Sequence, residues 1–136
     1  MTQSVLVTAG GSGIGLAIAK AFLQTGASVH LVDHDQDALA RVTAASPEYL
    51  ATCIDVADEQ AVNETMDSHL DQVGRLDVLV NCAGIAGPTA AIENIRLADW
   101  RQCLAVNLDA MFLFTRKAVP IMKQQQRGNL INIAST

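Results

Sequence analysis

The sequence predicts an α/β fold: a doubly wound parallel sheet with helices on both faces, residues 1–136 forming a single domain. Three observations predict it. Apolar, β-branched runs alternate with amphipathic helical stretches along the whole chain. The stretches between runs are about 10 residues or longer, so consecutive strands pair in parallel through right-handed crossovers rather than as hairpins. The runs are almost wholly apolar, as strands are when helices cover both faces of their sheet.

The elements follow in order. Ser4 to Thr8 (SVLVT) reads as the first strand. Gly13 to Thr25 reads as the first helix, with Ile14, Ala17, Ile18, Ala21 and Phe22 on one face and Gly26 at its end. Ser28 to Val32 (SVHLV) is the second strand, and Asp35 to Ala45 the second helix, ended by Pro47. Tyr49 to Ile54 is the third strand. Asp58 to Val73 is the third helix, with Asp58 suited to an N-cap and Gly74 to the stop. Asp77 to Val80 (DVLV) is the fourth strand. A loop rich in Gly, Ala and Pro runs from Cys82 to about Arg96. A long helix from Leu97 to Gln125 contains Pro120, which is expected to kink it or end its first part. Gly128 precedes a last strand, Asn129 to Ala134 (NLINIA).

Composition narrows the function classes. Half of the residues are apolar and 17% are charged, which excludes a disordered or fibrous chain. A net charge of −5 argues against a broad nucleic-acid-binding face, though not against a small anion held by backbone N–H groups. Cys53, Cys82 and Cys103 lie far apart with no CxxC pair, so neither a disulfide framework nor a structural zinc is expected. No second ligand stands at a useful spacing from His30, His34 or His69. No metal site is therefore expected, and His34 is read as a rim residue. The start carries no basic and apolar leader, and no apolar run reaches about 18 residues. No membrane partner is expected, and the cytoplasm is the expected location.

Ligands of doubly wound sheets bind beyond the carboxyl ends of the strands, where strand order reverses. Motifs stand at those ends. After the first strand comes Thr8-Ala9-Gly10-Gly11-Ser12-Gly13-Ile14-Gly15. Glycines there let a phosphate approach the backbone, and the following helix presents free N–H groups and its positive dipole end. The spacing is neither G-x-G-x-x-G nor a P-loop. Gly11-x-Gly13-x-Gly15 also suits an S-adenosylmethionine methyltransferase, although Val7 and Thr8 stand where that class usually has an acid. Asp33 follows Gly15 and ends the second strand, where a carboxylate can accept from both adenosine ribose hydroxyls and repel a 2′-phosphate. Hydrogen bonds to a charged group are worth roughly 1.5–3 kcal/mol, enough for a 10- to 100-fold preference. NAD is thus expected over NADP.

The glycine loop resembles the T-G-x-x-x-G-x-G pattern of the classical short-chain dehydrogenase/reductase family, with Ala9 in place of the first glycine. The resemblance runs along the whole chain and implies a Rossmann-type sheet, here apparently truncated after the fifth strand. It implies cofactor contacts from Gly10, Ser12, Gly13, Ile14, Gly15 and Asp33. Asp55-Val56 is similar to the family's adenine-contacting pair. Asn81-Cys82-Ala83-Gly84 is similar to its N-N-A-G, with Asn81, Ala83 and Gly84 shaping the backbone beside the ribose. Trp100 and Asn107 fit the long-helix pattern, in which the asparagine organises a water of the proton relay. Gly128 to Ser135 resembles the family's G-x-I-V-N-I-S-S strand, and Ser135 aligns with the catalytic serine, able to hydrogen-bond a substrate oxygen as charge develops on it.

The family's Tyr-x-x-x-Lys pair follows about 13 residues beyond that serine, past Thr136. The expectation is therefore a fragment of a longer protein, inactive as it stands. The resemblance implies an NAD(H)-dependent oxidoreductase acting on a small-molecule secondary alcohol or ketone, with a non-catalytic dinucleotide-binding protein as the alternative. It also implies a homodimer or homotetramer, the long helix packing on its symmetry mate. Leu104, Leu108, Met111, Phe112 and Thr115 recur there at helical spacing, which would equally suit a core-facing stripe.

Overall fold

A computed structural model describes residues 2–135. Its elements are β1 (Ser4–Thr8), α1 (Gly13–Gln24), β2 (Ser28–Asp33), α2 (Gln36–Ala45), β3 (Leu50–Cys53), α3 (Glu59–Val73), β4 (Val78–Asn81), α4 (Leu97–Leu104), α5 (Ala110–Gln125) and β5 (Asn129–Asn132). All five strands pair in parallel in the order β3-β2-β1-β4-β5. The chain leaves β1 toward β2 on one side and returns to place β4 on the other, so the reversal falls between β1 and β4.

Side chains that alternate along β1 divide the core into two layers. Val5 and Val7, with Val29, Leu31, Val78 and Val80, pack under α1 and α2. Leu6, with Val32 and Leu79, packs under α3 and α5 against Met66, Phe114 and Met122. β1 and β4 are buried at every position, whereas β3 is only half covered. β5 is exposed throughout, with Leu130 at 40% and Ile131 at 37% exposure. The all-apolar reading of the strands thus holds in the middle of the sheet and lapses at its edges. Among the described residues, no helix is long and apolar enough to cross a membrane.

Helix ends follow local chemistry. The Asp35 carboxylate accepts from Ala38 N–H (3.0 Å) and Asp58 from Ala61 N–H (3.1 Å), capping α2 and α3. α3 stops in a left-handed turn at Gly74. Three expectations need correction. The core face of α1 is Gly15, Ile18, Ala19, Phe22 and Leu23, while Ile14, Ala17 and Ala21 are exposed. The apolar residues of α1 extend around most of its circumference, so spacing alone did not select the buried arc. Tyr49 precedes β3 and is buried against the α1–α2 layer instead of pairing as a strand residue. Pro120 does not break the long helix, since α5 continues through it. The break comes earlier, where Ala105–Asp109 widens into a π-helical segment around Asn107.

Candidate functional site

A crevice of about 360 Å³ opens at the carboxyl ends of the strands beside the reversal point. Ala9 lines it after β1, Asp33 and His34 at the end of β2, and Ile54, Asp55 and Val56 after β3. Ala83, Gly84 and Ile85 line it after β4, with Gln102 and Val106 from the long helix. A second groove lies beside it between α1 and α2, and Ser12 and Gly13 face that groove.

The glycine loop is wound tightly against β1. Gly10 N–H donates to the Val32 carbonyl (3.2 Å) and Gly11 N–H to Asp33 Oδ2 (2.9 Å). A Cβ on Gly15 would lie 2.1 Å from the Ala9 carbonyl oxygen, so only glycine lets α1 start this close to the strand. Ala9 itself has φ 52°, a left-handed conformation at the position where the family pattern has glycine. Unlike α2 and α3, α1 has no side-chain cap: the Ser12 side chain makes no capping bond. Its first-turn N–H groups, those of Gly13, Ile14 and Gly15, are left for another acceptor. The Ile14 side chain is 64% exposed.

Asp33 is 6% exposed yet stands at the crevice. Its Oδ2 takes the Gly11 N–H and its Oδ1 the Asp35 N–H (3.0 Å), with His34 Nδ1 3.3 Å from Oδ1. A carboxylate offers about four acceptor positions, so room remains for ligand hydroxyls. Asp55 is exposed, and its carboxylate holds the turn into α3 by accepting from Ala57 N–H (2.9 Å). Val56 is buried in the α3–α5 layer and shows one side to the crevice.

The loop after β4 is held from two sides. Thr8 Oγ1 accepts from both Cys82 N–H (2.9 Å) and Ala83 N–H (3.0 Å), tying the end of β1 to the start of that loop. Asn107 Oδ1 accepts from Ile85 N–H (2.7 Å), and Asn107 Nδ2 donates to the Ile85 carbonyl (2.8 Å). The π-helical widening occurs at the residue that makes this pair. Burial pushes the Cys82 thiol pKa up, which keeps it protonated and unreactive. The Asn81 side chain does not reach the ribose side. It is 4% exposed and donates to Asn132 Oδ1 (2.9 Å) and Thr115 Oγ1 (3.3 Å), locking β4 to β5 and α5. Ser135 lies exposed just past β5, on the same end of the sheet.

The structure therefore brings Asp33, Asp55, Val56, Ala83 and Gly84 into one crevice, while Gly10 and Gly15 pack the loop tightly against β1 and do not line that crevice. It places Ser12, Gly13 and Ile14 at the free amino end of α1, and turns the Asn81 side chain inward. The sequence reading missed two features. One is Thr8 as a clasp, whose only signal was a hydroxyl at the last position of a strand. The other is the pairing of Asn107 with Ile85, 22 residues apart in sequence, which had no local signal.

The short chain dehydrogenase family model matches residues 3–136. Levodione reductase of Leifsonia aquatica is 36% identical over 137 residues, covering 96% of this chain and 51% of its own length. L-fucose dehydrogenase of Bos taurus is 36% identical over 131 residues, covering 96% and 48%. The crystal structure of 3-ketoacyl-(acyl-carrier-protein) reductase from Brucella melitensis complexed with NADH superposes with a TM-score of 0.92 at 32% identity, covering 98% of this chain and 57% of that one. The chain spans about half the length of the curated relatives it matches. With the family's glycine loop seated under α1, its sheet order reproduced and nearly every residue matched, this chain belongs to the short chain dehydrogenase family.

Proposed function

We propose that this chain forms the dinucleotide-binding part of an NAD(H)-dependent oxidoreductase acting on a small-molecule secondary alcohol or ketone. The observation that carries the reading is the amino end of α1. It is uncapped and pressed against β1 at Gly15, beside a buried carboxylate with acceptor capacity to spare. Those features fit a nicotinamide dinucleotide. The N–H groups of Gly13, Ile14 and Gly15 hold the pyrophosphate, Asp33 accepts from the adenosine ribose, and Asp55 with Val56 borders the adenine. Ala83 and Gly84 border the nicotinamide-side ribose. The bound cofactor supplies or accepts a hydride. Ser135 hydrogen-bonds the substrate oxygen, and Asn107 keeps the Ile85 loop in place beside it. Family membership leaves the S-adenosylmethionine reading without support.

Asp33→Ser tests the cofactor choice. Removing the carboxylate is expected to lower NAD affinity and raise NADP affinity, shifting their ratio by about 10- to 100-fold. Titrating NADH and NADPH fluorescence on both proteins reads that ratio, and an unchanged ratio rejects the assignment.

The same reading makes the protein cytoplasmic, which cell fractionation checks, and self-associating. Trp100, Leu104, Leu108 and Phe112 are 53%, 41%, 58% and 59% exposed, so much of the stripe lies outside the core. Met111 and Thr115 turn halfway inward. In Leu108→Glu a homodimer using this face is expected to fall to monomer and a homotetramer to dimer, measured by sedimentation. A variant that sediments like the parent rejects this interface.

A further inference from the structure

The groove between α1 and α2 differs in charge from the crevice beside it. Asp33 and Asp55 line the crevice, and no Lys or Arg does. Lys20 of α1 and Arg41 of α2 line the groove, each about two turns into its helix, and no Asp or Glu does. Arg75, Arg96, Arg116 and Lys117 each have a carboxylate partner, whereas among the described residues Lys20 and Arg41 have none. In a chain of net charge −5, two unpaired cations on neighbouring helices set this groove apart. The rest of its wall is largely apolar, built from Leu16, Ala38, Val42 and Ala45. Tyr49 also lines it, is 5% exposed, and has a buried hydroxyl without a hydrogen-bond partner. Such a hydroxyl has lost water without gaining an acceptor, which is costly and uncommon. We propose that this groove binds a small amphipathic carboxylate. Lys20, Arg41 and the Tyr49 hydroxyl hold its head, and its aliphatic body lies along the apolar wall. The site is separate from the dinucleotide crevice and does not depend on what fills that crevice.

Each part of the lining matches one part of such a ligand. The Arg41 guanidinium offers parallel N–H donors that suit the two oxygens of a carboxylate, and Lys20 adds a point charge. Burial, with Glu48 adjacent, pushes the Tyr49 phenol pKa up, so the hydroxyl keeps its proton and stays a donor. The groove holds about 440 Å³, within the range of small-molecule sites, which pair mostly apolar walls with a few polar groups. The aliphatic stems of Lys20 and Arg41 extend the apolar surface along which a hydrocarbon body can lie. An inorganic anion would satisfy the cations and leave that surface wet. The cofactor is a poor match for the same reason and for one of distance. Its pyrophosphate belongs at the amino end of α1, and Lys20 lies about 10 Å farther along the helix axis.

The test titrates octanoate, octanol and inorganic phosphate into the isotope-labelled chain and follows the backbone amide resonances. Octanoate is expected to give saturable shifts centred on Leu16, Lys20, Val42 and Ala45. With about ten non-hydrogen atoms it should reach roughly millimolar affinity or better. Octanol has the same body without the charge and is expected to bind at least about fivefold more weakly. Replacing both cations, Lys20→Gln with Arg41→Gln, is expected to remove that difference. Tyr49→Phe is expected to weaken octanoate by about 2- to 10-fold. Its melting temperature should be no lower than the parent's, because the unpaired hydroxyl is gone, and circular dichroism confirms that each variant is folded. The proposal is overturned by the absence of saturable octanoate shifts in the groove, or by equal affinity for octanoate and octanol in the parent. It is overturned equally by parent-like octanoate affinity in either variant, or by phosphate shifting the same amides at lower concentration than octanoate. Displacement of octanoate by NADP and not by NAD would make the groove a seat for the cofactor's 2′-phosphate, and overturns it as well.

Discussion

Gly15→Ala is expected to abolish dinucleotide binding and to cost about 3 kcal/mol or more of stability. The added Cβ would stand 2.1 Å from the Ala9 carbonyl oxygen and 2.8 Å from the Ala9 carbonyl carbon. Both obstacles are backbone, so no side-chain rotation relieves them. Relief requires α1 to move away from β1, which displaces the free N–H groups at its amino end. Two neighbouring substitutions calibrate the effect. At Gly13, φ is +53° and a Cβ would meet nothing within 4 Å, so Gly13→Ala pays only backbone strain, roughly 1–2 kcal/mol. At Ala9 the strain is already present, and Ala9→Gly relieves it while adding about 0.4–1 kcal/mol of unfolded-chain entropy. A net gain of roughly 0.5–1 kcal/mol is expected there. Urea midpoints rank the three variants, and NADH fluorescence reads the site. A Gly15→Ala protein with the parent midpoint and full NADH binding defeats this account of the loop.

What the sequence could and could not reveal divides by range. Strand runs, the Asp58 N-cap and the glycine loop are encoded within a few consecutive residues, and each was legible, whereas Asp35, read as the first residue of the second helix, proves to be its N-cap. The parallel sheet followed from the length of the connections. Positions set by partners distant in sequence were not legible. Asn81 ends an apolar strand beside a recognisable motif, yet its side chain is drawn inward by Asn132, 51 residues away. Pro120 reads as a breaker. In the structure α5 runs through it, and the actual irregularity lies at the π-helical segment, where Asn107 engages Ile85. The histidines are the clearest case. Their sequence spacing indicated nothing, and two of them meet in the core.

Acid is expected to destabilise the protein steeply below about pH 6.5, through that histidine pair. His30 of β2 is 2% exposed and His69 of α3 is 1% exposed, with their rings stacked 5.2 Å apart. Their protons can be assigned from the surrounding acceptors. The Arg75 carbonyl can only accept, so His69 Nε2 (3.1 Å away) carries a hydrogen, which it shares with Ser4 Oγ at 2.9 Å. His69 Nδ1 is then the acceptor for His30 Nδ1–H at 3.0 Å, and His30 Nε2 accepts from the Thr52 hydroxyl at 2.7 Å. With both rings neutral every bond of this chain has one donor and one acceptor. A proton added between them would set two N–H groups against each other. Asp77, which accepts from the Ser4 N–H, gives little relief, because Arg75 holds both its oxygens and keeps its pKa low.

Burial, reinforced by the neighbouring His69, lowers the His30 pKa to about 4, and burial lowers that of His69 as well. The unfolded chain takes up protons near pH 6.5 that the folded chain refuses. Stability is therefore complete above about pH 6.5 and is lost as pH falls from there toward about 4, where His30 takes a proton in the folded state too. His30, kept neutral in the fold down to about pH 4, contributes a slope of about 1.4 kcal/mol per pH unit inside that window, and the lowered His69 pKa adds to the loss in the same direction. Urea midpoints at pH 7.5, 6.0 and 5.0 measure the loss. His30→Gln, which keeps a polar group beside Thr52, is expected to lower stability at pH 7.5 and to reduce the acid slope to that of one histidine. The pair lies in the core between β2 and α3, outside the crevice lining, so acid acts through it on folding and not through a cofactor contact. Equal midpoints at pH 7.5 and 5.0 mean that the two imidazoles are protonated in the fold without penalty, and the directed hydrogen-bond chain is then wrong.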